Sequence, residues 1–381
     1  MASLTVRNAA AVVSFDHAPV RSPAEPAVLE HASVVCDNGV IAGVGDDADA
    51  EVVLDASGCT VVPGFVDCHS HLPFYGWRAD EDAARLSGRR YETLHRGEGG
   101  IFRSARMLAD ASDADAIGFS SELAGAMLRR GTTTLETKSG YGLSVEAELR
   151  QLRLAVAVAE RTPQRVVTTC LAAHAVPPGK TQGEWVGEAA DALLPAAARE
   201  GLASACDVYV ESIAFALEHA ARLAESAGAL GLRMRIHADQ LEDGQAGAFA
   251  ARWGFATADH LNHTSSEAAA DIAATGTAAV LLPGATFTLR QAKKPPARTL
   301  LEAGAVVALG TDFNPGTSPI HSMPLAMALA CRLYGLRPHE ALAAGTVNAA
   351  YALGLHEERG RIAGEQAVEA ARECHRERHR M

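Results

Sequence analysis

Lysine is nearly missing from this chain: it occurs only at positions 138, 180, 293 and 294, and arginine carries the remaining positive side-chain charge. A shortage of this kind reflects coding bias and by itself assigns no function. The seven cysteines, at 36, 59, 68, 170, 206, 331 and 374, include no Cys-x-x-Cys pair. An odd, scattered set excludes a disulfide framework and suits free thiols in a reducing cytoplasm. No apolar run is long enough to cross a bilayer, and Met1 to Ala10 lacks the basic head and apolar segment of a signal peptide. The net charge is −12 and the pI about 5.7, which argues against nucleic acid or an anionic membrane as a partner. No low-complexity linker and no internal repeat interrupts the chain. The expectation is a cytoplasmic protein that handles small molecules.

What is present is a large apolar inventory, 48% of 381 residues, enough for one barrel-sized domain with a smaller companion. Residues 1–60 read as short strands, Leu4–Val6, Ala11–Val13, Ser33–Val35, Val40–Val44 and Val52–Leu54, separated by turns such as Asp37-Asn38-Gly39. From residue 61 onward β-branched runs alternate with Ala/Leu-rich amphipathic segments. Strands are expected at 61–67, Thr132–Thr137, Arg165–Leu171, Ala205–Val210, Arg233–His237, Thr257–His260, Ala278–Leu282 and Val306–Gly310. Eight strands joined by helix-sized connections imply a parallel (β/α)8 barrel of the TIM type. One helix shows the logic: Ser144 can cap it, and Leu149, Leu152 and Val156 recur on one face. The expected division is a small β domain over 1–60, to which 355–381 adds a short, incomplete part, and a barrel over 61–354.

The stretch Pro63-Gly64-Phe65-Val66-Asp67-Cys68-His69-Ser70-His71 organises the rest. Side chains alternate along a strand, so His69 and His71 share a side while Cys68 points away into packing. An isolated His-x-His is more often two ordinary loop histidines. Here, however, His237, His260 and Asp312 also terminate candidate strands, and catalytic groups of such barrels gather at the C-terminal ends of the strands. Five donors converging on one face point to a metal site. The fourth strand ends Tyr209-Val210-Glu211 with no lysine nearby to be carbamylated into a metal bridge, and Lys138 follows a different strand. The expectation is one divalent cation held by His69, His71, His237 and Asp312; three N donors and one O donor suit Zn²⁺, with Fe²⁺ and Mn²⁺ as alternatives.

At these residues the chain resembles the amidohydrolase superfamily and, within it, the imidazolonepropionase family. The matching segments run from Pro63 to about Gly360. They include Lys138-Ser139-Gly140-Tyr141-Gly142-Leu143, Ala173-His174-Ala175, Ala258-Asp259-His260-Leu261, Pro283-Gly284-Ala285-Thr286-Phe287 and Thr311-Asp312-Phe313-Asn314-Pro315-Gly316-Thr317. The His-x-His and the strand-end Asp are superfamily-wide, whereas the first and last of these segments are much more specific. The resemblance implies a distorted barrel with a small β-sandwich, a homodimer, and hydrolysis of 4-imidazolone-5-propanoate to N-formimidoyl-L-glutamate. It carries metal ligation to His69, His71, His237 and Asp312, the substrate shell to Arg78, Tyr91, Tyr141, His174, Gln240, Asn314, Gly316 and Thr317, and catalysis to His260.

Residue chemistry agrees with these roles. Arg78 offers a planar fork for the propanoate of a small anionic substrate, His174 can polarise the lactam carbonyl, and Gln240 can bind ring nitrogen or the attacking water. Asp312 can move the water proton with His260 orienting the water or sharing that transfer. A deaminase is disfavoured because Gln240 stands where such enzymes place a Glu; a decayed binding barrel is disfavoured because all five strand-end donors are intact. The chain departs from the family in Gly97-Glu98-Gly99-Gly100, in the bulk of Tyr75 and Trp77, and beyond Gly364, where Arg372–Arg380 is charged and has no strand pattern. That end reads as frame-shifted or truncated.

Overall fold

The computed structural model describes residues 3–22, 25–45, 47–89 and 99–363. The expectations for Tyr91, Glu98 and residues 364–381 lie outside that range.

Two sheets build the molecule. The first joins β1 (Leu4–Ser14), β2 (Ala27–Asp37), β3 (Val40–Gly45), β4 (Val52–Asp55) and β5 (Thr60–Val61) in the order β3-β2-β1-β4, with β5 also on β1. Two segments expected as separate strands, Leu4–Val6 and Ala11–Val13, form the single β1. The interruption read from the sequence is a bulge: the register on β2 shifts between Val6 and Ala9, and Asn8 sits at φ 61°, a left-handed conformation that Asn tolerates better than most residues. Leu4, Val12, Val34, Cys36 and Ile41 pack on one another inside this sheet, and Ile362 joins them from the far end of the described chain.

The second sheet is the barrel: β6 (Phe65–Asp67), β7 (Thr132–Lys138), β8 (Arg165–Ala173), β9 (Ala205–Val208), β10 (Arg233–Ala238), β11 (Thr257–His260), β12 (Ala278–Leu281) and β13 (Val307–Leu309), each hydrogen-bonded in parallel to the next. No ladder joins β13 to β6. The ring closes just beyond the strand ends, where Asp312 N–H donates to His69 O and His71 N–H to Phe313 O, both at 2.9 Å. Closure therefore falls at the segment that carries the histidines, which makes the barrel distorted and registers His69 and His71 against Asp312.

Alternation sorts the strand residues. Ala279, Leu281, Val307 and Leu309 face the surrounding helices with Ile236 and Ala258, while Val280, Leu282, Val306 and Ala308 face inward with Val66 and Cys68. The helix Val347–Leu353 packs its alanines against that inner set. On the outside, Ser144 Oγ accepts from Ala147 N–H as expected of a cap, and Leu149 and Leu152 are buried. Among the described residues no helix is long and apolar enough to cross a membrane.

Candidate metal centre and substrate cavity

The strands end in a cluster of imidazoles. His69 and His237 have ring centroids 4.6 Å apart, His69 and His71 5.3 Å, and His237 and His260 5.4 Å. Asp312 Oδ1 lies 3.1 Å from His71 Nε2 and 3.7 Å from His69 Nε2. Two triads of donors each fit within 4.8 Å: His69, His71 and His237, and His69, His260 and Asp312. Four ring nitrogens here, His69 Nε2, His71 Nδ1, His237 Nε2 and His260 Nδ1, are buried with no hydrogen-bond partner among the described residues. Buried polar atoms are normally satisfied, so orphaned imidazole nitrogens within two such donor triads suit a metal cation. His260 and Asp312 also hold φ of 78° and 54°. Such strained backbone in non-glycine residues is characteristic of functional sites.

Two of the histidines are aimed from behind. His69 Nδ1 donates to Asp259 Oδ2 at 2.6 Å and His237 Nδ1 to Asp207 Oδ1 at 3.1 Å, so the opposite nitrogen of each ring is left to face the centre. Behind the carboxylates lie two cations. Lys138 Nζ contacts Asp207 Oδ2 at 2.8 Å and Glu136 Oε1 at 2.7 Å, and Arg235 Nη2 contacts Asp259 Oδ2 at 3.3 Å. Burial opposes ionisation of Asp207, yet His237 and Lys138 overcome it and hold this carboxyl well below the usual range. Burial drives His69 well below the usual histidine range and His260 down to about 3, so both imidazoles are neutral and able to donate a lone pair. Burial pushes the Asp259 carboxyl up; counted as ionised with Glu136 and Asp207 against Lys138 and Arg235, it leaves one negative charge, and Asp312 adds a second. A divalent cation balances both. The donor set and the charge beneath it fit such an ion.

The cluster opens into a small cavity whose walls include Arg78, Tyr141, His174, Tyr209, Gln240, Asn314 and Thr317. Six of these were expected from the sequence. Arg78 is 2% exposed, its Nε and Nη1 have no hydrogen-bond partner among the described residues, and the Glu81 carboxylate approaches Nη1 only to 3.7 Å. A buried guanidinium with unspent donors at the wall of a cavity suits an anionic ligand. Gly316 is glycine for this arginine: a Cβ there would fall 2.2 Å from Nη2. Asn314 lines the cavity but spends its amide on its own loop, accepting from Gly316, Thr317 and Ser318 N–H and donating to Asp312 O.

The specific segment Lys138–Leu143 is built by a residue that sequence reading passed over. The buried Glu148 carboxylate accepts N–H bonds from Gly140, Gly142 and Leu143 at 2.7 to 2.9 Å. Gly140, at φ 112°, could carry no Cβ without meeting His174 Nδ1 at 2.7 Å; that nitrogen donates to Gly140 O, and the His174 ring stacks on His71 at 5.2 Å. Tyr209, Asp207 and Asp259 were likewise missed. Lys138, set aside as a metal bridge, is fully buried as a counter-ion. Cys68 is buried in apolar packing, as expected, but that packing is in the lumen.

The amidohydrolase family model matches residues 60–367. Among curated proteins, the imidazolonepropionase of Symbiobacterium thermophilum is 42% identical over 350 residues, covering 89% of this chain and 82% of that protein. The imidazolonepropionase of Cupriavidus necator is 42% identical over 353 residues, covering 89% and 84%. Among solved structures, a triazine hydrolase variant superposes with a TM-score of 0.73 at 18% identity, over 96% of this chain and 85% of that one. A zinc-bound adenosine deaminase from Xanthomonas campestris gives 0.66 at 20%, over 96% and 83%. These two share the fold. By its family match and its curated relatives, the chain belongs to the amidohydrolase family and, within it, to the imidazolonepropionases.

Proposed function

We propose that this chain hydrolyses the cyclic amide of 4-imidazolone-5-propanoate, a step of histidine degradation, and releases N-formimidoyl-L-glutamate. The single observation that carries the reading is the pairing inside one cavity of an orphaned imidazole cluster with a buried, under-satisfied Arg78 opposite it. The first suits a hydrolytic cation and the second a carboxylate on the substrate. The family is metal-dependent, and His69, His71, His237 and Asp312 would hold one zinc ion per chain. When bound, the ion supplies Lewis acidity that acidifies water and polarises a carbonyl.

The rest is work for the protein's own groups. Arg78 binds the propanoate through its free N–H donors, and Tyr141 and Tyr209 wall the heterocycle. His174, its Nδ1 committed to Gly140 O, turns its other edge toward the lactam oxygen. Asp312 has a carboxyl that burial would raise but that the His71 contact holds below its usual value, so it is ionised and accepts the proton of the attacking water. Oxygen from that water bonds to the carbonyl carbon, the ring C–N bond breaks, and Asp312 returns the proton to the departing nitrogen. His260 orients the water, and Gln240 binds the ring nitrogen.

Incubation of the purified protein with 4-imidazolone-5-propanoate, with and without chelator, tests the reading directly. Formimidoylglutamate should appear only without chelator. Asp312→Ala should lose metal and turnover together, whereas His260→Ala should retain metal with activity reduced about 100-fold or more. A metal-loaded, fully active Asp312→Ala protein would refute the assignment, and loss of metal from His260→Ala would move His260 into the ligand set.

A further inference from the structure

Glu211 lies one residue layer behind the cavity, and nothing in the proposed chemistry uses it. It follows β9 in a tight turn, donating its N–H to Phe215 O at 3.1 Å and accepting Ala214 N–H at 2.9 Å, so its backbone is fixed. Its buried side chain crosses to the loop after β10. There one oxygen, Oε1, accepts the consecutive N–H groups of Gln240 and Leu241 at 2.5 and 2.8 Å. Consecutive amides converging on one anion form a concave nest, which sets the local dihedrals. The other face of the same residue is held too: Gln291 Nε2 donates to Gln240 O at 3.1 Å. Just before it, Asp239 at φ 51° anchors the loop by accepting Ala246 and Gly247 N–H. The backbone of Gln240 is thus clasped on both sides while its side chain lines the cavity.

We propose that Glu211 is a positioning residue for Gln240: its Oε1 clasp fixes where the Gln240 amide stands in the cavity and so aligns the heterocycle for attack. The proposal rests on the role given above to Gln240. Oε2 of Glu211 is buried and has no hydrogen-bond partner among the described residues, so all of the clasp runs through one oxygen. An amide at position 211 keeps that oxygen and places its NH2 where Oε2 makes no bond. Glu211→Gln therefore preserves the clasp, and Glu211→Ala abolishes it.

The test is a double-mutant cycle on the metal-loaded full chain, reading kcat and KM with 4-imidazolone-5-propanoate alongside metal content and melting temperature. Gln240→Ala should lower kcat/KM about 100-fold and Glu211→Ala about 10-fold, with metal content unchanged. The double variant should fall within about 3-fold of Gln240→Ala alone, because the clasp acts only through that side chain. Glu211→Gln should retain activity within about 3-fold of the parent. If Glu211→Ala does not fold, Glu211→Asp replaces it in the cycle, its carboxylate withdrawn by one methylene from the two N–H groups. Losses that multiply in the double variant overturn the proposal and leave Gln240 in place, as does a Glu211→Gln protein no better than Glu211→Ala. A fully active Gln240→Ala protein instead removes Gln240 from the mechanism and the proposal with it.

Discussion

The lumen of the barrel has two unlike halves. Strands β12, β13 and β6 turn Val280, Leu282, Val306, Ala308, Val66 and Cys68 inward, where they pack on Ala349, Ala350 and Leu353 of the helix Val347–Leu353. Strands β7 to β11 turn Glu136, Lys138, Thr169, Asp207, Arg235, Thr257 and Asp259 inward, all of them buried. The first half gains by removing apolar surface from water and needs no directional contacts. The second must repay the desolvation of five charges, and it does so through pairing, at 2.6 to 3.3 Å, with one another and with the histidines above, and through backbone contacts such as Arg235 Nη2 to Cys68 O and Val208 N–H to Asp207 Oδ1. Buried ion pairs seldom out-stabilise an apolar packing of equal volume. Their presence on one side only, directly beneath His69 and His237, shows that this half is organised to aim imidazoles and the other to hold the fold.

The sharpest way to break that contrast is to remove one charge. Lys138→Met leaves Glu136 and Asp207 buried without their shared cation, and stability should fall by about 3–5 kcal/mol. Chemical denaturation with chelator present measures this apart from metal binding. Lys138→Met combined with Glu136→Gln should recover part of the loss, since one uncompensated charge goes with it. An unchanged midpoint for Lys138→Met would mean that the lower layer is not the interlocked set described here.

How far this division was legible in the sequence depends on which half is read. Two of the three apolar strands were placed to within a residue or two: Ala278–Leu282 was expected where β12 spans Ala278–Leu281, and Val306–Gly310 where β13 spans Val307–Leu309. The third, expected over 61–67, is only Phe65–Asp67, and Val61 lies in β5 of the other sheet. His69, His71, His237, His260 and Asp312 were found because strand ends are where such barrels gather donors, and they do converge. The supporting layer was not found. Asp207 and Asp259 lie inside strands, where a lone carboxyl reads as a break in an apolar run, and their partners His237 and His69 are 30 and 190 residues away along the chain. Pairing over such distances leaves no periodic trace. Glu148 was hidden differently: on a helix it passes for a solvated residue of the first turn, and only the fold turns it back on Gly140 and Gly142. The bulge at Asn8 made one strand look like two because a local break in alternation cannot be told from a turn without the partner strand.

A hydroxyl exchanged across the divide sharpens the contrast at smaller scale. Val306→Thr places an –OH in the apolar half among Val66, Ala278 and Val280, which offer no side-chain partner, and should cost about 1–3 kcal/mol. The reverse change is expected to be the mildest. Thr169 on β8 is buried and its Oγ1 makes no hydrogen bond to the described residues, although charged neighbours surround it. Thr169→Val removes an unsatisfied polar atom at nearly constant volume, so stability should stay level or rise by about 1 kcal/mol. Both variants are read in the same denaturation experiment at saturating metal. If Thr169→Val instead loses more than about 1 kcal/mol, its hydroxyl is satisfied by ordered water, and the charged half is then a hydrated column beneath the metal centre rather than a dry set of ion pairs.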